Sequence, residues 1–257
     1  MRNINRVDEV NYNNFGSKMI IVKYNNAHDI DVYFPKYDYT VNHAEYGNFK
    51  KGKIKCVYEP RCYGKGCLGE GKYKMSENGK KTDEYIIWHH MLRRCYDPKF
   101  QEKEPTYKGC IVEDYWLNFQ YMGEWIEDNY YEVPGETMHL DKDVLCKGNK
   151  IYSRYTCVFV PKRINVLFTK SDKIRGECPI GVHQLPSGNY GVQCKNGYGK
   201  QIYLGTYSTK EEAFQVYKQY KEKLIKEVID SYEGIIPEPH YSKLKEAMYN
   251  YEVEIND

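Results

Sequence analysis

The sequence has no stretch of about eighteen apolar residues and no apolar run behind Met1, so neither a membrane span nor a secretory leader is expected. Neither charge sign dominates: 38 Lys and Arg stand against 36 Asp and Glu, a net charge of +2. That balance is no basic signature, and any electrostatic footprint for nucleic acid has to be local. A disulfide framework is also missing, because the nine cysteines are odd in number and irregularly spaced. Such usage fits a reducing, cytoplasmic setting. Cys62 and Cys67 have no second pair at ligand spacing, which argues against a zinc knuckle. What is abundant is tyrosine, with 28 copies, an amphipathic ring suited to mixed sheets and to polar stacking surfaces.

A chain of 257 residues fits two or three units, each able to bury its own core. Residues 18–55 are strand-like, with Met19–Val22, Ile30–Phe34 and Tyr46–Ile54 separated by Asn25-Asn26, Gly47 and Gly52. The last of these interleaves aromatics with lysines, as a phosphate-tracking segment or a lysine-protected edge strand does. Residues 61–81 are rich in Gly and Lys and poor in apolar side chains, the composition of a linker or long loop. Apolar residues at helical spacing (Tyr85, Trp88, Met91, Leu92, Cys95) predict a helix closed by Pro98, with His89 and His90 mostly on its other face. A second helix is expected over Trp116–Tyr130.

Next comes a strand with alternating acidic residues, Met138-His-Leu-Asp-Lys-Asp143, then a polar loop around Gly148 and Asn149, a strand over Cys157–Val160, and a helix opening near Pro161. From Pro179 to Tyr232, strands at 180–184, 189–195 and 200–206 are joined by Pro186-Ser-Gly and Asn196-Gly turns. A long helix opens at Ser208 or Thr209, with Ala213, Tyr217, Tyr220 and Leu224 on one stripe. The tail after Pro237 has room for one more short helix.

Two segments resemble known families. Residues 85–168 resemble phage-type HNH (His-Me finger) endonucleases related to homing enzymes, through Trp88-x-x-Met-Leu-x-Arg-Cys-Tyr96, Leu140-Asp-Lys-Asp143, Gly148-Asn-Lys-x-Tyr-Ser153 and Cys157-Val-Phe-Val-Pro161 followed by Ile164-Asn165. Residues 179–230 resemble the Apetala-two or ethylene-response-factor DNA-binding domain through Gly181-Val182, Ser187-Gly188, Leu204-Gly205 and Glu212-Ala213 leading to Tyr217. Together these describe an α+β protein. A β-rich N-terminal domain (1–75) is followed by a central ββα-metal, HNH-like domain with helices (82–175), then a three-stranded sheet plus helix with a helical tail (178–257).

The resemblance implies a metal-dependent endonuclease or nickase acting on double-stranded DNA, with one Mg²⁺ or Mn²⁺, in a phage protein working in the cytoplasm of its bacterial host. A carboxylate and an amide oxygen from two elements suffice to hold such a cation. Asp141 and Asn165 match the family's ligand positions, with Asp143 in reserve because residues two apart on a strand share a face. Asn149 matches the loop asparagine that braces the finger. The family's base histidine directly follows the ligand aspartate, and here that position is Lys142. A lysine base needs its pKa lowered by about 3 units, on the order of 4 kcal/mol. His139, two residues before Asp141 on the same strand face, is the natural substitute, and Lys142 is then left to hold a phosphate.

In the terminal domain the outward positions His183, Gln193, Lys195, Gln201 and Tyr203, with Lys200, are expected to contact DNA. Two competing readings remain: an HNH scaffold that binds DNA without turnover, and a phage effector contacting a host protein.

Overall fold

The structure, a computed structural model, describes residues 5–169 and 178–255. It is α+β. The chain divides into two compact units, Met1–Lys108 with Val112–Glu124, and Gly109–Ile111 with Trp125–Asp257. Among the described residues no helix is long and apolar enough to cross a membrane. All nine cysteines are free thiols.

The first unit opens with an antiparallel sheet in sequence order, β1 (Val10–Tyr12), β2 (Lys18–Asn26), β3 (Asp29–Phe34) and β4 (Tyr39–Ala44). Period-two alternation makes it: Ile30, Val32 and Phe34 face inward with Met19 and Ile21, while their neighbours face solvent. The segment expected to be a strand from Tyr46 is instead a short helix, α1 (Tyr46–Lys50). Tyr46 and Phe49 are three residues apart, a helical spacing, and their rings stack at 6.1 Å as Phe49 enters the sheet's core.

Residues 61–81 are not a linker. They carry the small hairpin β5 (Ser76–Glu77) and β6 (Lys80–Lys81) and lie packed on the helices that follow. Glycine is used here for closeness: a Cβ on Gly66 would stand 2.4 Å from Leu92 and 2.6 Å from the Trp88 ring. Backbone bonds tie the segment down as well, from Cys67 N–H to the Leu117 carbonyl and from Phe119 N–H back to the Cys67 carbonyl, 2.9 Å each.

Helix α2 (Asp83–Tyr96) is capped by the Thr82 hydroxyl, which accepts the Tyr85 N–H. It buries Tyr85, Trp88, Met91, Leu92 and Cys95, the predicted stripe. It ends before Pro98, where α3 (Pro98–Lys103) begins.

After β7 (Ile111–Val112), the single helix expected over Trp116–Tyr130 is two pieces, a 3₁₀ turn at Asp114–Leu117 and then α4 (Phe119–Asn129). Asn118 separates them in extended conformation, its side-chain oxygen accepting the Gln120 N–H at 3.0 Å.

The second unit holds β8 (Met138–Asp141), β9 (Ile151–Tyr152), β10 (Val158–Pro161) and the one-turn helix α5 (Lys162–Asn165). A three-stranded antiparallel sheet follows, β11 (Val182–Gln184), β12 (Tyr190–Lys195) and β13 (Gln201–Tyr207), packed on α6 (Lys210–Asp230), with α7 (His240–Tyr249) at the end. Val182, Val192 and Cys194 meet Ala213, Phe214 and Tyr217 of α6. Gly181 has φ +74°, and a Cβ there would lie 2.0 Å from the Tyr217 ring, so no other residue fits. A bulge between Val192 and Gln193 shifts the register, pairing Val192 with Gly205 and Gln193 with Tyr203. Strict alternation therefore breaks, and Ile202 is only half-buried. The predicted helix stripe likewise turns further round below Tyr217, to Ile225, Val228 and Ile229.

Candidate active site

Strands β8 and β10 pair antiparallel, Asp141 opposite Val158 and His139 opposite Val160. Phe159 anchors this hairpin: its ring stacks on Trp125 at 5.5 Å, Tyr130 meets it edge-on at 5.1 Å, and the Tyr131 hydroxyl donates to its carbonyl at 2.7 Å. Pro161 closes β10 and α5 turns back over β8, with the Lys162 N–H donating to the Thr137 carbonyl at 2.8 Å. The result brings two side chains 26 residues apart into contact, Asn165 Nδ2 lying 2.9 Å from His139 Nδ1.

Two arrangements satisfy that contact, and they assign different chemistry. If the amide nitrogen donates to Nδ1, the imidazole proton sits on Nε2 and the Asn165 oxygen stays open. If the amide is turned so that its oxygen accepts from Nδ1–H, Nε2 is the proton acceptor and the oxygen is spent. Only the first arrangement lets Asn165 serve the ring through its nitrogen while its oxygen stays open to a cation.

Asp141 ends the strand rather than continuing it. Its Oδ1 accepts the N–H of Asp143 and of Val144, each at 2.7 Å, and so caps the turn. Among the described residues its Oδ2 has no hydrogen-bond partner and the Asn165 oxygen accepts no bond beyond the His139 contact, so one carboxylate and one amide oxygen remain on offer. Burial pushes the Asp141 carboxyl up, against the two backbone donors that pull it down.

Two expectations are corrected here. Because β8 stops at Asp141, Asp143 does not share a strand face with it; the Asp143 carboxylate is turned instead onto Lys142. Lys142 does not point to an open site. It is 5% exposed, and its ammonium donates to both Asp143 oxygens and to the Asn149 carbonyl, all at 2.7 Å. Held this way it neither takes a proton nor reaches a phosphate.

Asn149 ties the loop from the other side. Its amide donates to the Lys142 carbonyl at 2.9 Å and the Ile151 carbonyl at 2.7 Å, while its oxygen accepts the Ile151 N–H at 3.0 Å. Lys142 and Asn149 therefore clamp each other's backbone across the loop, a brace that keeps β8 in place.

On the terminal sheet, His183, Gln193, Lys195, Gln201 and Tyr203 share the face away from α6, with Lys195, Gln201 and Tyr203 exposed and His183 and Gln193 half-buried. The His183 ring lies over Gly191, where a Cβ would meet Nε2 at 2.7 Å, and its Nδ1 is buried without a hydrogen-bond partner among the described residues. Lys200 sits in the loop before β13, which is longer than the two-residue turn expected from Asn196-Gly197: Asn196 Oδ1 accepts the N–H of Tyr198 and of Lys200.

One group was not anticipated. Asp29, Asp31 and His43 offer ligand atoms within 4.8 Å of one another on β3 and β4. His43 Nδ1 is 2.8 Å from Asp29, and the Asn25 amide, more than His43, holds the Asp29 carboxyl below its ordinary value. The period-two Asp pair is legible in sequence, but the approach of His43 depends on a positive φ of 54° beside a bulge, which no pattern announces. Comparison with protein-family models, with curated proteins and with solved structures gives no match.

Proposed function

We propose that this chain is a metal-dependent DNA endonuclease or nickase of HNH type, positioned on double-stranded DNA by its terminal sheet. The observation that carries the reading is the meeting of His139 and Asn165, from the strand that Asp141 ends and from the helix behind the paired strand. The donor set suits Mg²⁺ or Mn²⁺, since Asp141 Oδ2 and the Asn165 amide oxygen are hard ligands. When bound, such a cation stabilises the charge that builds on the leaving oxygen during phosphodiester hydrolysis.

The chain's own residues do the rest. Asp141 fixes the turn with one oxygen and keeps the other for the site. Lys142 and Asn149 hold the loop, so that β8 presents His139 at constant height. Opening the His139–Asn165 bond releases Nδ1 of the ring to accept a proton from water, so the paired state is the resting one. The outward side chains of β11–β13 supply phosphate and groove contacts, with Lys195 and Lys200 as the charges.

A second reading, DNA binding without turnover, is favoured by the burial of Lys142 at the position where the family carries its base. Supercoiled plasmid separates the two. The nuclease reading expects relaxation to open circles in Mn²⁺, suppressed by EDTA; retardation of intact plasmid with a steep salt dependence is the signature of binding alone.

A further inference from the structure

In the first unit a cavity of about 380 Å³ opens between the 59–68 loop and α2, a size in the usual range of small-ligand sites. Its walls are rings. Tyr63 and Tyr85 approach His89 at 5.2 Å and 5.7 Å between centroids, and Trp88 lies 5.8 Å from Tyr85. Its rim is cationic: Arg61 lines the mouth, and the Lys81 ammonium stands over the Tyr85 ring at 5.6 Å. Arg93, four residues on from His89, continues that charge along the same helix, with Arg94 beside it. Burial first, and then Lys81, His90 and Arg93, hold the His89 imidazole below its ordinary value, as expected where several cations crowd one surface.

Of the acidic groups nearby, Asp83 and Glu84 lie in the first turn of α2, while Glu59 and Asp97 are committed elsewhere. Glu59 lines the cavity, but its oxygens accept from the Asn13 amide at 2.5 Å and from the Cys56 N–H at 3.2 Å. Asp97 pairs with Arg93 at 3.6 Å. Burial pushes the Cys62 thiol up to about 11, so it lines the cavity without adding negative charge.

We propose that this cavity receives the base of an unpaired DNA strand, stacked against the ring cluster of Tyr63, Tyr85 and His89 rather than between its members, which already touch, while the flanking phosphates lie along the arginines of α2. Stacking surfaces beside a basic track are what single-strand binding requires, and every base offers a π-face. A flat duplex contact would use the track but leave the cavity idle. The choice of DNA over RNA rests on the function proposed above; the cavity itself does not.

The test is fluorescence anisotropy of fluorescein-labelled dT12 and dA12 with the full chain at low salt, alongside r(U)12. Binding of both DNA strands is expected, weakened about tenfold by His89→Ala and retained by His89→Phe, which keeps a stacking ring. Arg93→Gln should lower the slope of log affinity against log salt by about 0.7. Quenching of tryptophan fluorescence on dT12 addition provides a readout in the unaltered protein, since Trp88 forms part of the wall. EDTA should leave oligonucleotide affinity unchanged while stopping any plasmid relaxation, so failure of the cation site and failure of this site give different results. No binding at low salt, equal affinity in His89→Ala, or tighter binding of r(U)12 would overturn the proposal.

Discussion

Asp141→Asn is expected to leave a folded protein that no longer relaxes supercoiled DNA, with a rate loss of at least about a thousandfold, the order by which a well-placed electrostatic group contributes. The substitution is chosen because of what Asp141 does twice. Its Oδ1 caps two backbone N–H groups, a job the Asn amide oxygen performs equally well. Its second oxygen is the one anionic ligand on offer from β8, and Asn replaces it with a neutral amide nitrogen. Asp141→Ala removes both, stranding two N–H groups at about 1–3 kcal/mol each if they stay dry, so a dead Ala variant alone does not distinguish chemistry from folding. Equal melting temperatures for wild type and Asp141→Asn, with nicking lost, isolate the chemistry; nicking retained in Asp141→Asn removes this residue from the site.

Lys142→Met should behave in the opposite way. The ammonium is buried and makes three bonds at 2.7 Å, two of them to a carboxylate that is itself 45% exposed. Deleting one member of a fully buried pair costs about 3–5 kcal/mol; here the Asp143 end rehydrates, so about 1–3 kcal/mol is expected. That corresponds to a fall in melting temperature of roughly 2–12 °C for a unit of this size. Activity per folded molecule at low temperature should persist, because Lys142 faces the loop and not the open side of Asp141. Loss of nicking without loss of stability would instead make Lys142 the base that the family's pattern places at this position.

These two residues also mark how far the sequence can be read. The β3 strand, the α2 stripe and the terminal hairpins were legible, because each exposes one face to water and so writes its period into the residue pattern. Residues 46–50 were not, since five residues carry too few turns to distinguish a helix from a strand. The 61–81 segment misled because composition does not separate glycines that loosen a chain from those, such as Gly66, that let it touch a helix.

At the site, the order of strand, strand and helix was legible in the sequence. The fate of Asp143 and Lys142 was not, because alternation assigns faces only while the strand continues, and Asp141 itself ends it by capping the next turn. The bond between His139 and Asn165 lay beyond any pattern.

The central claim is that a divalent cation settles between Asp141 and the helix behind it, and paramagnetic broadening by substoichiometric Mn²⁺ in a ¹H–¹⁵N spectrum addresses it directly. Resonances of residues 139–144 and 163–167 should vanish first, and persist in Asp141→Asn. Broadening confined to residues 29–31 and 43, around the Asp29, Asp31 and His43 group, with the finger untouched, would contradict the account.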